Sequence, residues 1–161
     1  EGFKEILNFA KKRKILINTI FAAPSGAWAN QDSSILFTKK EDVELYEQIV
    51  KDNPYVTRDS HAGYTDKACP AASESIYITP YGDVLPCPYI HIRCGNIFEE
   101  SLKDIRERGM KYFNYQDRCI IAEDEVFIEE YLNETRDKPN LPLSQEYLDN
   151  ISHWGSPNPV K

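Results

Sequence analysis

Ser75-Ile76-Tyr77-Ile78-Thr79-Pro80-Tyr81-Gly82-Asp83-Val84-Leu85-Pro86-Cys87 decides how this chain is read. Ser75 to Thr79 alternates polar and apolar at the strand period and is rich in β-branched and aromatic residues, the pattern of a half-buried strand. Pro80-Tyr81-Gly82-Asp83 then turns the chain, because Pro fixes φ at an early turn position and Gly accepts the positive φ that a following position needs. Val84-Leu85-Pro86 can return antiparallel. The hairpin carries Cys87 back toward Cys69, in the arrangement Cys69, twelve residues, Gly82, four residues, Cys87. Two soft thiolates converging at the open end of a hairpin make half a site for an iron–sulfur cluster or for zinc.

Upstream, Phe3, Ile6, Leu7 and Ala10 recur at helical spacing, and Lys11-Lys12-Arg13-Lys14 closes that helix at its negative end. Ile15 to Phe21 is almost continuously apolar, as in a parallel strand covered on both faces. Pro24-Ser25-Gly26-Ala27-Trp28 follows as a loop at the end of the strand where ligands bind in α/β folds. Thr38-Lys39-Lys40-Glu41 has the form of a capping box and opens a helix striped by Val43, Tyr46, Ile49 and Val50. A polar loop through Arg58-Asp59-Ser60-His61 and Asp66 leads to Cys69. Downstream, helices are expected at Ser101 to Met110, with Leu102 and Ile105 inward, and at Glu123 to Leu132, through Val126, Phe127, Tyr131 and Leu132. From Arg136 onward Pro139, Pro142, Pro157 and Pro159 break periodicity, so a mobile tail is expected, with at most a short helix at Ser144 to Ile151.

The 161 residues allow one ordinary domain, or a small domain with a piece of another. A hydrophobic content of 41% supports a core, and no apolar run approaches the roughly 18 residues of a membrane span. A net charge of −7 argues against nucleic-acid binding, which relies on clustered Lys and Arg. Glu123, Asp124, Glu125, Glu129, Glu130 and Glu134 read as a solvated helix face. His61, His91 and His153 read as surface or capping residues, His91 being the best placed for ligation because it lies four residues past Cys87.

Cys69-Pro70-Ala71-Ala72, Ile76 to Pro88, Gly95-Asn96-Ile97 and Ser101-Leu102-Lys103-Asp104-Ile105 occur in an order that resembles the C-terminal auxiliary-cluster domain of radical SAM enzymes, called SPASM or, when shortened, Twitch. The resemblance covers residues 66 to 130. Residues 1 to 60 are loosely similar to the last strand and helices of a radical SAM barrel. The fold expected is therefore α+β: a hairpin-centred cluster-binding domain with helices (61–135), preceded by the terminal strand and helices of an α/β, partial TIM-type barrel (1–60) and followed by the tail (136–161).

By this resemblance Cys69, Cys87 and Cys119 occupy ligand positions for an auxiliary [4Fe–4S] cluster. Cys94 stands where a core apolar residue is usual. It is either a small buried hydrophobe or the fourth ligand, without which one iron is open to water, substrate or another donor. Tyr77, Tyr81 and Tyr89 are expected to shield the cluster. The resemblance further implies a cytoplasmic oxidoreductase or maturase in which a separate cluster reduces SAM to generate a 5′-deoxyadenosyl radical. Its partners would be the missing N-terminal radical SAM barrel, an unknown substrate, and an electron donor such as flavodoxin or ferredoxin, with no membrane. The CxxxCxxC signature of the SAM cluster is absent here. SAM and that second cluster thus belong only to a full-length protein, and this chain alone is expected to catalyse nothing. With Glu1-Gly2-Phe3 at its start and no Met, it reads as the C-terminal part of a longer protein. Two other readings of four cysteines stand beside this one. A structural zinc or iron–sulfur interaction module needs no catalysis, though zinc favours CxxC pairs and this chain has none. A secreted domain with two disulfides would suit the acceptor triplets Asn133-Glu134-Thr135 and Asn150-Ile151-Ser152.

Overall fold

A computed structural model describes residues 2–20, 23–24, 44, 49, 51–58, 69–113 and 119–154. The loop at 25–28, the capping box at 38–41, the stripe of Val43, Tyr46 and Val50, and His61 and Asp66 lie outside them. The described chain is mixed helix and sheet and divides into two units, one holding the first helix and a parallel strand pair, the other holding the hairpin and everything after it.

In the first unit, helix α1 (Gly2–Arg13) ends on the expected basic turn of Lys11, Lys12 and Arg13. Lys14 takes the left-handed conformation at φ 55°, and the Ile15 N–H reaches back to the Ala10 carbonyl at 3.0 Å, which closes the helix end. Ala10 is buried, whereas Ile6 and Phe9 are exposed, so the apolar stripe is narrower than its spacing suggested. Strand β1 (Ile17–Thr19) pairs in parallel with β2 (Val56–Arg58), with Ile17 opposite Val56 and Thr19 opposite Arg58. The seven-residue strand expected at Ile15 to Phe21 is thus three residues long. It is not covered on both faces, since Ile15, Leu16 and Ile20 are exposed. A parallel pair needs a crossover connection, but two strands do not establish a partial TIM barrel.

The second unit is built on the expected hairpin. Strands β3 (Tyr77–Ile78), β4 (Asp83–Leu85) and β5 (Gly95–Asn96) form an antiparallel sheet in the order β3-β4-β5, with Ile78 opposite Val84 and Val84 opposite Gly95. Gly82 has φ +85°, as the turn requires, and a Cβ there would fall 2.5 Å from the Phe98 ring, so glycine is needed for both conformation and space. The strand expected over Ser75 to Thr79 is shorter than its pattern, and both of its side chains are exposed. Asn96 is buried and its bonding groups are matched: Nδ2 donates to the Tyr81 carbonyl (3.0 Å) and to Asp83 Oδ1 (3.1 Å), and Oδ1 accepts from the Phe98 N–H (2.9 Å). Asp83 also pairs with Arg93 at 2.9 Å. A side chain that donates twice and accepts once is what this corner demands.

Helix α2 (Leu102–Phe113) begins at a cap in which Ser101 Oγ accepts from the Asp104 N–H and donates to its carboxylate. Its buried stripe is Ile105, Gly109 and Phe113, four residues apart. Leu102, expected to face inward, lies in the first turn and is 45% exposed. Short helix α3 (Ile120–Glu123) leads through Asp124 into α4 (Glu125–Thr135), which buries Phe127, Ile128, Tyr131, Leu132 and Thr135. Val126, also expected inward, is exposed. Asp124 corrects the reading of a wholly solvated acidic face: it is buried, caps α4 by accepting from the Phe127 N–H at 3.1 Å, and contacts His153 Nε2 at 3.0 Å.

The stretch expected as a mobile tail is packed onto this core through Trp154. The Leu143 N–H donates to the His91 carbonyl and its carbonyl accepts from the Arg93 N–H, each at 2.9 Å. A 3-10 turn follows at Gln145–Asn150. Leu148 and Ile151 are buried, and the Trp154 ring sits against Phe113 (4.8 Å), Tyr112 (5.1 Å) and Phe127 (5.2 Å). Prolines at 139 and 142 break helical periodicity, yet they turn a chain that still carries apolar residues back to the core. Glu130 on α4 secures the end of this strap, accepting from the Ser152 hydroxyl and from the Ser152 and His153 N–H groups.

The Ser152 hydroxyl, followed by the His153 amide, holds the Glu130 carboxyl below its ordinary 4.5. A carboxylate whose pKa is depressed by folding contributes fully above its unfolded value and loses that contribution as pH falls through the folded one. Trp154 fluorescence is therefore expected to hold steady above pH 4.5 and to change below it as the strap loosens. Glu130→Gln should show the loosened signal already at neutral pH. An acid transition unaltered in that variant would show that Glu130 does not anchor the strap.

Candidate metal centre

Cys69 is carried by a tight turn. The Pro70 carbonyl accepts the N–H groups of Ser73 (3.2 Å), Glu74 (2.9 Å) and Ser75 (2.9 Å), and the Ser73 hydroxyl as well. Ala72, buried within it, takes φ 58°, and its N–H donates to the Pro86 carbonyl at 3.2 Å. That bond ties the Cys69 turn to the residue preceding Cys87. From α2, Arg106 holds the far side, donating from Nε (3.0 Å) and an Nη (2.7 Å) to the Ser73 carbonyl. Gly109 lets α2 come this close: a Cβ there would lie 3.0 Å from that of Ala72 and 3.2 Å from Cys94 Sγ.

Cys87 begins the next turn. Burial pushes its thiol up to about 11, against the opposing hydrogen bonds of the Tyr89 and Ile90 N–H groups to the sulfur, with a further upward push from nearby Cys69. Cys94 is 2% exposed, and burial pushes it to about 12, the Arg108 charge opposing and Cys87 adding. Its backbone is also fixed, the N–H donating to the Val84 carbonyl at 2.7 Å and the carbonyl accepting from Arg108. Arg108 in turn forks onto Glu100 at 2.8 and 2.6 Å, which holds the Glu100 carboxyl low. Cys119 stands at the head of α3 and packs, partly buried, against the same core as Cys69 and Cys87. None of the four cysteines is in a disulfide.

The structure therefore sets Cys69 and Cys87 within electrostatic reach of each other, and Cys87 likewise with Cys94. Among the described residues no three His, Cys, Asp or Glu side chains are gathered closely enough to hold a metal ion. His91 Nε2 lies 3.1 Å from the Pro88 carbonyl of its own turn. Of the tyrosines expected to shield a cluster, Tyr89 packs against the core, while Tyr81 is 81% exposed and Tyr77 about half exposed. The sequence did not point to Arg106, Arg108 or the hydroxyl of Tyr131. Arg106 and Arg108 reach carbonyls 33 and 14 residues away, a pairing that no local spacing signals and only the fold supplies.

Residues 69–126 match the family model SPASM, an iron–sulfur cluster-binding domain. Over this segment the chain is similar to a SPASM domain. No curated protein and no solved structure matches it. The donor chemistry agrees with the family: soft sulfurs on two turns tied together by a backbone bond, one of them already receiving two amide hydrogen bonds, with an apolar core behind. The matched segment stops inside α4, whereas the buried core continues through α4 to Trp154. No helix among the described residues is long and apolar enough to cross a membrane.

Glycine in a helix interior ordinarily costs about 1 kcal/mol relative to alanine. Here the sign should reverse. Ala72 is held in a left-handed turn and Cys94 is pinned by two backbone hydrogen bonds, so neither can yield to a methyl at position 109. Gly109→Ala is expected to destabilise the domain by about 1 kcal/mol in urea unfolding, the overpacking cost exceeding the helical gain. A stabilised variant would show that these neighbours give way.

Proposed function

We propose that this domain holds the auxiliary [4Fe–4S] cluster of a radical SAM enzyme, with Cys69, Cys87 and Cys119 as ligands and Cys94 as a core residue. The family match at 69–126 is the observation that carries the reading. Supporting it are the backbone tie between the Cys69 turn and Pro86, and the two amides aimed at the Cys87 sulfur. In the metal-free domain the Cys87 thiol is protonated at neutral pH, so taking up a cation releases its proton, and affinity rises with pH. Cys94 has a different situation. It is sealed between β5 and α2, where a methyl group would fill nearly the same role.

When bound, such a cluster supplies a site for one-electron transfer or, through an iron without a cysteine, for anchoring substrate. The cysteines bind it, the amides of Tyr89 and Ile90 tune the sulfur, and the packed core excludes water. Because CxxxCxxC is absent from this chain, SAM cleavage falls to a barrel that carries that motif, fed by a flavodoxin- or ferredoxin-like donor. The parallel β1–β2 pair is consistent with the end of such a barrel. On this reading residues 1–60 belong to the barrel, and the protein works in the cytoplasm.

Anaerobic loading of the full chain with iron and sulfide should give broad absorption near ~400 nm from sulfur-to-iron charge transfer. Cys69→Ala, Cys87→Ala and Cys119→Ala should each lose or degrade the cluster, while Cys94→Ala retains iron. Stoichiometric zinc with no uptake of iron would overturn the iron–sulfur reading. Loss of iron in Cys94→Ala equal to that in the other three would instead make Cys94 the fourth ligand.

A further inference from the structure

We propose that Tyr131 is a positioning residue for the Cys87 sulfur: its buried hydroxyl locks the turn from Pro88 to His91 so that the Tyr89 and Ile90 amides stay aimed at that sulfur. The inference rests on the reading of Cys87 as a cluster ligand. It concerns a residue beyond the matched segment, which ends at 126.

The Tyr131 hydroxyl makes two hydrogen bonds to one turn. It donates to the Tyr89 carbonyl at 3.2 Å and accepts from the His91 N–H at 3.0 Å, so it bridges the residues on either side of Ile90. The ring is itself fixed, being 1% exposed and stacked on Phe127 with centroids 5.9 Å apart, while the Thr135 hydroxyl donates to the Tyr131 carbonyl at 2.7 Å. On its other side the turn is held by the strap, through the Leu143 N–H to the His91 carbonyl. A short turn clamped at both ends has little freedom to redirect its amides. Those amides are the groups that donate to Cys87.

Hydrogen bonds to a ligand sulfur favour the more negatively charged, reduced form of a cluster and so raise its potential. Without the hydroxyl, the His91 N–H and the Tyr89 carbonyl lose a buried partner, and the turn relaxes to satisfy them elsewhere. The amides then drift from the sulfur and the reduced form becomes less favoured. Tyr131→Phe keeps the ring and its stacking, so the hydroxyl alone is removed.

The test compares the full chain, loaded anaerobically, as wild type, Tyr131→Phe and Tyr112→Phe, by redox titration and low-temperature EPR. Tyr112 donates to Asp149 at 2.6 Å, so its variant loses a hydroxyl of the same kind away from the turn. Tyr131→Phe is expected to bind wild-type iron with altered EPR g-values. Its reduced-to-oxidised ratio at the wild-type midpoint should fall about three- to tenfold, or about 30–60 mV at 59 mV per decade for one electron. Tyr112→Phe should titrate as wild type. A Tyr131→Phe midpoint equal to wild type would overturn the positioning role while leaving Cys87 as a ligand. A wild-type spectrum in Cys87→Ala would overturn the reading beneath it. Hydrogen exchange on the wild-type chain needs no variant to fold: the His91 amide should exchange among the slowest of the domain, and exchange at the rate of exposed turns would also refute the proposal.

Discussion

The absence of a side chain at position 109 lets helix α2 sit close against the Cys69 turn and Cys94. A Cβ there would press on Ala72 at 3.0 Å and on the Cys94 sulfur at 3.2 Å, and each of these belongs to an element with its own constraints. Ala72 sits in a left-handed turn bonded to Pro86, and Cys94 joins the sheet through Val84. With the helix seated there, Arg106 can fork onto the Ser73 carbonyl, and Arg108 onto Glu100 and the Cys94 carbonyl. Backing the helix away even slightly would lengthen these contacts together, since one rigid element carries both arginines. The close approach thus sets where the two cysteine-bearing turns lie, and backbone hydrogen bonds hold them there.

The parts of this arrangement legible in the sequence are those that local chemistry dictates. Pro80 and Gly82 specify the turn, the flanking residues specify antiparallel return, and a cap at Ser101 starts α2. Spacing could not say which side of each element would be covered. Leu102 and Val126 fit the helical stripes of their segments and yet are exposed, because core contact begins a turn later at Ile105 and falls on the face of Phe127 and Tyr131. Ser75 to Thr79 has strand-like alternation, but only two of its residues pair. Pro139 and Pro142 break helical periodicity in the sequence, yet in the structure the chain around them stays ordered against the core. Leu143, Leu148, Ile151 and Trp154 are too irregularly spaced to show a period, and only the shared core gives them a common destination.

The cysteines divide on physical grounds that sequence separation does not reveal. All are apolar enough to be buried as thiols, and burial raises the pKa of both Cys87 and Cys94. What differs is the company of each sulfur. Around Cys87 two amides donate, an arrangement that favours a thiolate bound to a cation over a thiol in oil. Around Cys94 the backbone is paired and Gly109 lies close to the sulfur, with the Arg108 charge and Cys87 within electrostatic reach.

The family segment and the folding unit do not end at the same residue, and the difference matters for the candidate metal centre. A segment cut at 126 would contain the cysteines, the hairpin and α2, yet it would lack Tyr131, which clamps the turn after Cys87, and Leu143, which holds that turn from the opposite side. It would also lack Phe127 and leave Phe113 without the Trp154 ring that packs on it. Turns that bear ligands are short and expose much of their backbone, so their geometry depends on what is packed behind them. In this chain that support comes from residues with no metal-binding chemistry of their own, sixty or more positions beyond Cys69. The elements that hold the sulfurs and the elements that orient them are therefore separate parts of the sequence, joined only when α4 and the strap close over the core.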